Sequence, residues 1–190
     1  MHTFRVQARH LPNIISGLRL IAVVPILYLL VHERFGWALV LFAATGASDG
    51  VDGWLARHYG WRSRLGGLLD PIADKVLLVA CFLVLGVMGE LPLWLALAVI
   101  FRDIVILTGG VLYHSLIEDV QPAPTLISKL NTLVQIVLLV AVIADAGPLP
   151  LPERLIETLI WSCLATTVAS GALYVLVWGQ MARGKGLRQD

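Results

Sequence analysis

The chain has 190 residues, of which 58% are hydrophobic and 14% are charged, and its mean hydropathy is +0.82. Soluble domains are about half apolar and about a quarter charged, so this composition excludes an ordinary soluble fold and predicts a polytopic membrane protein. The net charge of +1 says little, because the distribution of charges matters more than their sum in such proteins, and we expect no nucleic-acid partner. Cys81 and Cys163 both lie in apolar runs and are interpreted as unpaired, buried thiols.

Apolar runs divide the chain into six predicted transmembrane helices, which form an all-α fold and one domain over residues 1–190. Before them, Arg5 and Arg9 stand among apolar residues, which predicts a short interfacial helix, with an unstructured tail as the alternative. The spans are predicted at residues 12–32, 35–58, 65–88, 91–114, 125–145 and 153–180.

Several of these spans carry charged residues, which are costly inside a membrane and are functional candidates by default. Arg19 lies in the first span and is interpreted as a phosphate-binding or ion-pairing residue, the alternative being a side chain that reaches the surface. Arg102 lies inside the fourth span and Lys129 in the first turns of the fifth. Either cation could bind a phosphate or the headgroup of a lipid.

Four carboxylates stand where the second span ends and the third begins. Asp49 and Asp52 are three residues apart, and Asp70 and Asp74 are four apart; both spacings place a pair on one face of a helix. The short basic connection between the spans brings both pairs to the same membrane face. The sequence therefore predicts a cage of four carboxylates, in which Lys75, next to Asp74, could offset part of the charge.

This donor set indicates the kind of metal that the cage would hold. Carboxylate oxygens without nearby cysteine or paired histidine favour Mg²⁺, Mn²⁺ or Ca²⁺ over zinc. Because Mg²⁺ usually takes one or two carboxylates together with substrate phosphates, four acids fit two ions that bridge a phosphate-bearing substrate.

The segment from Asp49 to Asp74 reads D-x-x-D-G-x-x-A-R-x8-G-x3-D-x3-D without a gap or substitution. This pattern resembles the signature of the CDP-alcohol phosphatidyltransferase family of integral membrane enzymes. Three further segments are similar to family motifs, and together the resemblance covers roughly residues 11–178. They are Leu11–Arg19, Arg102–Asp103 and Ser128–Gln135.

The resemblance implies an enzyme that transfers a phosphatidyl group from CDP-diacylglycerol to a glycerol-type acceptor and releases CMP. It implies Mg²⁺ or Mn²⁺, two ions in all, held by Asp49, Asp52, Asp70 and Asp74, with Asp74 also the catalytic base. It implies a homodimer as well. The expected CDP-binding residues are Gly53, Ala56, Arg57 and Gly66. The expected acceptor- or phosphate-binding residues are Arg102, Lys129, Asn131, Thr132, Gln135, Arg19 and Asn13.

Two acceptors fit this branch of the family: phosphatidylglycerol, giving cardiolipin, and glycerol 3-phosphate, giving phosphatidylglycerophosphate. The glycerol 3-phosphate enzymes typically read Lys-x-Lys-Thr-x-x-Gln, whereas this chain has Asn131 at the second lysine. Asp103 and the segment Trp161–Ser170 also look like the cardiolipin synthase group. A phosphodiester carries one negative charge and a phosphomonoester nearly two, so the lost lysine favours phosphatidylglycerol.

Two readings of other classes are open. The acids could form a structural network with Arg57, Lys75 and Arg102, or they could line the ion path of a transporter. Transporter acids usually lie near the membrane midplane, often between repeated halves. Here they lie at one end of the spans, and the chain shows no repeat, which favours the enzyme.

Arginine and lysine concentrate at the N-terminus, in the connection between the second and third spans and in the C-terminal tail. Because cytoplasmic segments are rich in these residues, both termini and the active site are predicted on the cytoplasmic side of an inner or cytoplasmic membrane.

Overall fold

The computed structural model describes the backbone of residues 11–59, 66–116 and 126–186, and side chains within 17–48, 75–109 and 126–176, apart from that of residue 18. In these ranges all regular secondary structure is helical, which confirms the predicted all-α class. The helices are α1 (Leu11–Val31), α2 (Phe35–Tyr59), α3 (Gly66–Met88), α4 (Leu93–Leu116), α5 (Leu126–Asp145) and α6 (Glu153–Gly186). The predicted interfacial helix falls on residues that lie outside the described part.

Each predicted span coincides with one helix, and the largest difference is the end of α6, which runs to Gly186 instead of residue 180. Among the described residues, two helical stretches are long and apolar enough to cross a membrane, Leu126–Asp145 and Glu153–Leu176. Six transmembrane helices therefore stay a prediction.

The six helices pack as a closed ring in the order α1, α2, α5, α6, α4 and α3, and α3 also contacts α5. Tight turns join α1 to α2, α3 to α4 and α5 to α6, so each of these pairs is antiparallel. At the second turn Gly89 adopts a φ of 88°, a left-handed conformation that glycine reaches without steric cost. At the third, the Asp145 carboxylate accepts a 2.7 Å hydrogen bond from the backbone N–H of Leu151.

The interior is divided into an apolar half and a polar half. The end of the bundle near the three tight turns is filled by fully buried apolar side chains such as Ile26, Leu30, Phe82, Leu95 and Ile143. The buried polar side chains lie on the other side of this core, further from the tight turns. They are Arg19, Thr45, Arg102, Asp103, Asn131, Gln135, Thr167 and Ser170.

The outward surface of the described helices is also apolar. Large hydrophobic side chains are exposed on all six helices, among them Val24, Trp37, Val87, Phe101 and Leu126. Cys81 and Cys163 are both buried and unpaired, as their apolar sequence context predicts. A partly polar interior beneath an apolar exterior departs from the arrangement in water-soluble bundles, whose exposed faces are polar.

Candidate active site

The acid motif falls on α2 and α3, in the half of the bundle that holds the buried polar residues. The backbone of Asp49 lies about 20 Å along α2 from the start of this helix. At this distance from the tight turns, the apolar core has been replaced by polar side chains. The backbone is helical at both acid pairs, as the spacing argument requires. The side chains of the four acids lie outside the described residues, so the carboxylate cage stays a prediction. The same holds for Asn13, Gly53, Ala56, Arg57 and Gly66.

An ion-pair cluster on α3 and α4 stands beside this motif. Lys75 Nζ donates to Oδ1 and Oδ2 of Asp103 over 2.7 and 2.8 Å. Arg102 Nη1 donates to the same Oδ1 over 2.7 Å. The carboxylate is buried and the ammonium is partly exposed, with side-chain exposures of 7% and 32%. One carboxylate therefore binds two cations, one from each helix.

The guanidinium of Arg102 extends the cluster to two more helices. Its Nη2 donates to Ser128 Oγ on α5 over 2.8 Å and also to Ser170 Oγ on α6. Its Nε is buried without a hydrogen-bond partner among the groups that the structure describes. Arg102 was predicted to bind an acceptor phosphate; here three of its five donors contact protein groups, and Nε is among the donors without a described partner.

The cluster also shows where the ammonium of Lys75 lies. Because Lys75 follows Asp74 in the chain, the sequence predicts that this ammonium offsets part of the charge of the acid motif. In the structure the ammonium pairs with Asp103 across the α3–α4 interface. The structural network considered from sequence, acids of the motif paired with Arg57, Lys75 and Arg102, involves side chains outside the described residues and stays a prediction.

A second polar layer joins α5 to α6. Asn131 is fully buried, and its Oδ1 accepts hydrogen bonds of 2.9 Å from the hydroxyls of both Thr166 and Thr167. Its Nδ2 has no partner in the described part of the chain, and one turn further along α5 neither amide atom of the buried Gln135 has one. Unpartnered buried amides are rare in proteins and call for a ligand or a water.

The remaining predicted acceptor residues separate into two environments. Arg19 and Thr132 line one pocket of about 120 Å³ between α1, α2, α3 and α5. Its other lining residues are Phe42, Thr45, Gly46, Leu77, Leu78 and Ile136. Lys129, by contrast, is exposed on α5. The described members of the predicted acceptor set therefore do not converge on one surface: Arg102 and Asn131 lie in buried networks, and Gln135 is buried one turn beyond Asn131.

Asp103, Ser128 and Ser170 were not predicted as site residues, although each contacts Arg102. Ser170, Thr166 and Thr167 contribute to helix packing, because their hydroxyls tie α6 to α4 and α5. Small hydroxyl residues recurring about one helical turn apart in an apolar span are the signal of such cross-helix hydrogen bonds.

These features define an all-helical protein with an apolar exterior and a polar, ion-paired interior at one end. Comparison with known proteins then identifies its family. A sequence profile of the CDP-alcohol phosphatidyltransferases matches residues 9–177, and the chain belongs to that family. The resemblance predicted from the acid motif is confirmed.

Three curated relatives match most of the chain. Cardiolipin synthase (CMP-forming) of Rattus norvegicus is 34% identical over 197 residues, which is 92% of this chain and 64% of the relative. The Homo sapiens protein of the same name is 34% identical over 188 residues, with shares of 90% and 62%. A chloroplastic CDP-diacylglycerol–glycerol-3-phosphate 3-phosphatidyltransferase of Oryza sativa is 32% identical over 193 residues, with shares of 90% and 58%. The chain thus spans less than two thirds of the length of these relatives.

Proposed function

We propose that the protein transfers the phosphatidyl group of CDP-diacylglycerol to phosphatidylglycerol, producing cardiolipin and CMP. The observation that carries this proposal is the complete acid motif, from Asp49 to Asp74, inside the segment that matches the family. The cardiolipin synthases among the relatives support the choice of product.

In the proposed reaction, the acceptor hydroxyl attacks the phosphorus that carries the diacylglycerol, and the bond from that phosphorus to the CMP oxygen breaks. Asp74 accepts the proton of the attacking hydroxyl, the role of a positioned general base. Asp49, Asp52 and Asp70, with Asp74, would hold two Mg²⁺ or Mn²⁺ ions. The all-oxygen chemistry of these four side chains fits such ions. When bound, the ions supply positive charge against the pyrophosphate and the leaving CMP.

The nucleotide end of CDP-diacylglycerol is proposed to bind beside the acids. Gly53, Ala56 and Gly66 present small side chains or none, which leaves room for a ligand close to the helix backbone. Arg57 supplies a positive charge in the same segment. These assignments come from the match to the family motif, residue by residue.

We place the protein in the cytoplasmic membrane with six transmembrane helices and as a homodimer. The exposed apolar side chains on all six helices support burial in lipid, because a soluble protein seldom exposes so many together. The concentration of arginine and lysine in the same three segments supports a cytoplasmic active site and cytoplasmic termini.

Asn131 favours phosphatidylglycerol as the acceptor. It is a neutral amide at a position where glycerol 3-phosphate enzymes typically have lysine, and Thr166 and Thr167 supply the two donors that its oxygen accepts. Its oxygen is therefore satisfied by protein groups, whereas its Nδ2 has no partner in the described part of the chain. Without the second lysine the site carries less positive charge, which suits a phosphodiester with one negative charge better than a phosphomonoester with nearly two.

Glycerol 3-phosphate is the second candidate, and the relative from Oryza sativa favours it. The two are separated by supplying purified protein in liposomes with Mg²⁺, CDP-diacylglycerol and one acceptor at a time, while CMP and lipid products are followed. Cardiolipin from phosphatidylglycerol supports the proposal. Phosphatidylglycerophosphate from glycerol 3-phosphate alone would change the acceptor but keep the reaction type.

Release of no CMP with either acceptor, from protein that is folded, would refute the enzyme and favour the transport reading of the acids. Asp74→Asn protein serves as the inactive reference in each assay.

A further inference from the structure

We propose that Asp103 is a positioning residue for the transfer reaction, acting through Lys75 on the part of α3 that carries Asp74. This inference rests on the proposed function. It concerns a carboxylate outside the acid motif, on a different helix. Its role would be to fix where α3 stands relative to α4, and so where the base meets the acceptor hydroxyl.

The contact that carries the inference is the bridge between Lys75 and Asp103. Both carboxylate oxygens of Asp103 accept from Lys75 Nζ, at 2.7 and 2.8 Å, within the range of charge-assisted hydrogen bonds. Lys75 directly follows Asp74 in the chain. Any shift of α3 that moves the ammonium away from Asp103 therefore also moves the backbone of Asp74.

The same carboxylate connects α3 to the helices of the predicted acceptor side. Its Oδ1 also accepts from Arg102, whose guanidinium donates to Ser128 on α5 and Ser170 on α6. Ser128 immediately precedes Lys129 and lies one turn before Asn131. Asp103 thus links α3, which carries Asp70 and Asp74, through Arg102 to α6 and to α5, the helix of four predicted acceptor residues.

The energetics favour a positioning role over a purely stabilising one. Burying the charges of Arg102 and Asp103 costs desolvation energy, and apolar replacements of such buried pairs are often as stable or more so. A buried ion-pair cluster is therefore weak support for stability, whereas its fixed hydrogen-bond geometry specifies one arrangement of the helices. Catalysis is sensitive to such placement, since an error of about 1 Å can cost about 100-fold in rate.

The test uses the full chain in liposomes with Mg²⁺, CDP-diacylglycerol and phosphatidylglycerol. Four variants are compared with wild type: Asp103→Asn, Asp103→Glu, Lys75→Met and the double variant Lys75→Met with Asp103→Asn. Asp145→Asn is the matched control, because it makes the same chemical change to an exposed carboxylate at the far end of α5. Melting temperature in detergent is recorded for each variant.

We expect Asp103→Asn and Lys75→Met each to lower kcat by about 100-fold while KM for CDP-diacylglycerol changes by less than about threefold. Because both changes break one bridge, the double variant should be no slower than the slower single variant. Asp103→Glu keeps the charge and should fold, with a kcat between those of wild type and Asp103→Asn. Asp145→Asn should match wild type.

Two results, both with active wild-type protein, would overturn the inference alone. If wild type is active and Lys75→Met and Asp103→Glu keep its kcat, the positioning role is wrong and the proposed function stands. If kcat falls only in proportion to the fraction of folded protein, the cluster is structural. Wild-type protein that releases no CMP would instead remove the proposed function, and the positioning role with it.

Discussion

The hydroxyl of Thr167 on α6 donates to Oδ1 of Asn131 on α5 over 2.9 Å, and both residues are buried. The hydroxyl of Thr166 lies 2.9 Å from the same oxygen. The Asn131 side chain is therefore a neutral link between two helices. Its position in the acceptor motif makes it the natural place to test acceptor choice.

We predict that Asn131→Lys shifts preference from phosphatidylglycerol toward glycerol 3-phosphate. An added ammonium favours the more highly charged acceptor, and it can no longer accept from Thr166 and Thr167. The ratio of kcat/KM for glycerol 3-phosphate to that for phosphatidylglycerol should rise by about tenfold, equivalent to about 1.4 kcal/mol. The kcat/KM value for each acceptor is obtained from CMP release in liposomes, for wild type and for the variant.

Asn131→Gln is the control, since it keeps a neutral amide, and its acceptor ratio should stay near that of wild type. Folded Asn131→Lys protein with an unchanged ratio would show that this position does not select the acceptor. The argument from the missing lysine would then fail.

We predict that the side chain of Gln135 lowers the stability of the fold and contributes to acceptor binding. Its amide has no protein partner among the described residues although the side chain is fully buried, and an unsatisfied buried amide costs about 1–3 kcal/mol. Gln135→Leu removes that cost at similar volume, so we expect an unchanged or higher melting temperature in detergent. If Gln135 binds the acceptor, KM for phosphatidylglycerol should rise in the same variant.

The reference for that melting experiment is Leu138→Ala, which opens a cavity at a fully buried position and should destabilise by about 2–5 kcal/mol. A clear fall in melting temperature for Gln135→Leu, comparable to that of Leu138→Ala, would mean that the Gln135 amide has a stabilising partner. The accompanying activity would then decide between a buried water and the acceptor.

The helices of this fold could be predicted closely from sequence because their signals are local. Long apolar runs interrupted by Glu33, Gly89 and the segment after Asp145 determine where helices begin and end. The bridge between Lys75 and Asp103 could not be predicted in this way. It depends on how α3 is rotated against α4, and the sequence places Lys75 beside a different carboxylate.

The same limit applies to the acceptor residues. Their types and spacing identify the family motif, but helix packing decides that Arg19 and Thr132 share a pocket while Lys129 is exposed. Cross-helix partners such as Ser170 for Arg102 are separated by many residues in the chain. A single sequence carries no direct signal of which helix faces which.

At the apolar end of the bundle, the α5–α6 turn packs tightly against the start of α2. Gly147, in that turn, should therefore not tolerate a side chain. A Cβ at this position would stand 2.5 Å from Cβ of Phe35, closer than carbon atoms approach without displacement. We predict that Gly147→Ala lowers stability by about 1–3 kcal/mol, the usual cost of overpacking. A fall in melting temperature in detergent measures this effect.

Gly36→Ala is the matched control, because a Cβ there meets no atom within 4 Å. Gly36 lies in the first turn of α2, where alanine is favoured over glycine by up to about 1 kcal/mol, so its melting temperature should be unchanged or higher. Equal effects of the two substitutions would contradict the close packing of Phe35 against Gly147.

Activity should depend on a divalent cation and on each acid of the motif. Removing the cation with a chelator should abolish CMP release, and Mg²⁺ or Mn²⁺ should restore it, because positive charge is needed to stabilise the negative charge that develops on the leaving CMP. Asp74→Asn should lower kcat by about 100- to 10,000-fold, the usual contribution of a general base. Asp49→Asn, by contrast, should also raise the Mg²⁺ concentration that gives half-maximal rate.

That difference separates the two roles. A residue that mainly holds metal is partly compensated by more Mg²⁺, whereas the loss of the base is not, since no added ion accepts the proton of the acceptor hydroxyl. Asp145→Asn, which removes an exposed carboxylate far from the motif, should leave both the rate and its Mg²⁺ dependence as in wild type. Full rescue of Asp74→Asn by Mg²⁺ would assign Asp74 to metal binding alone and leave the base to another residue.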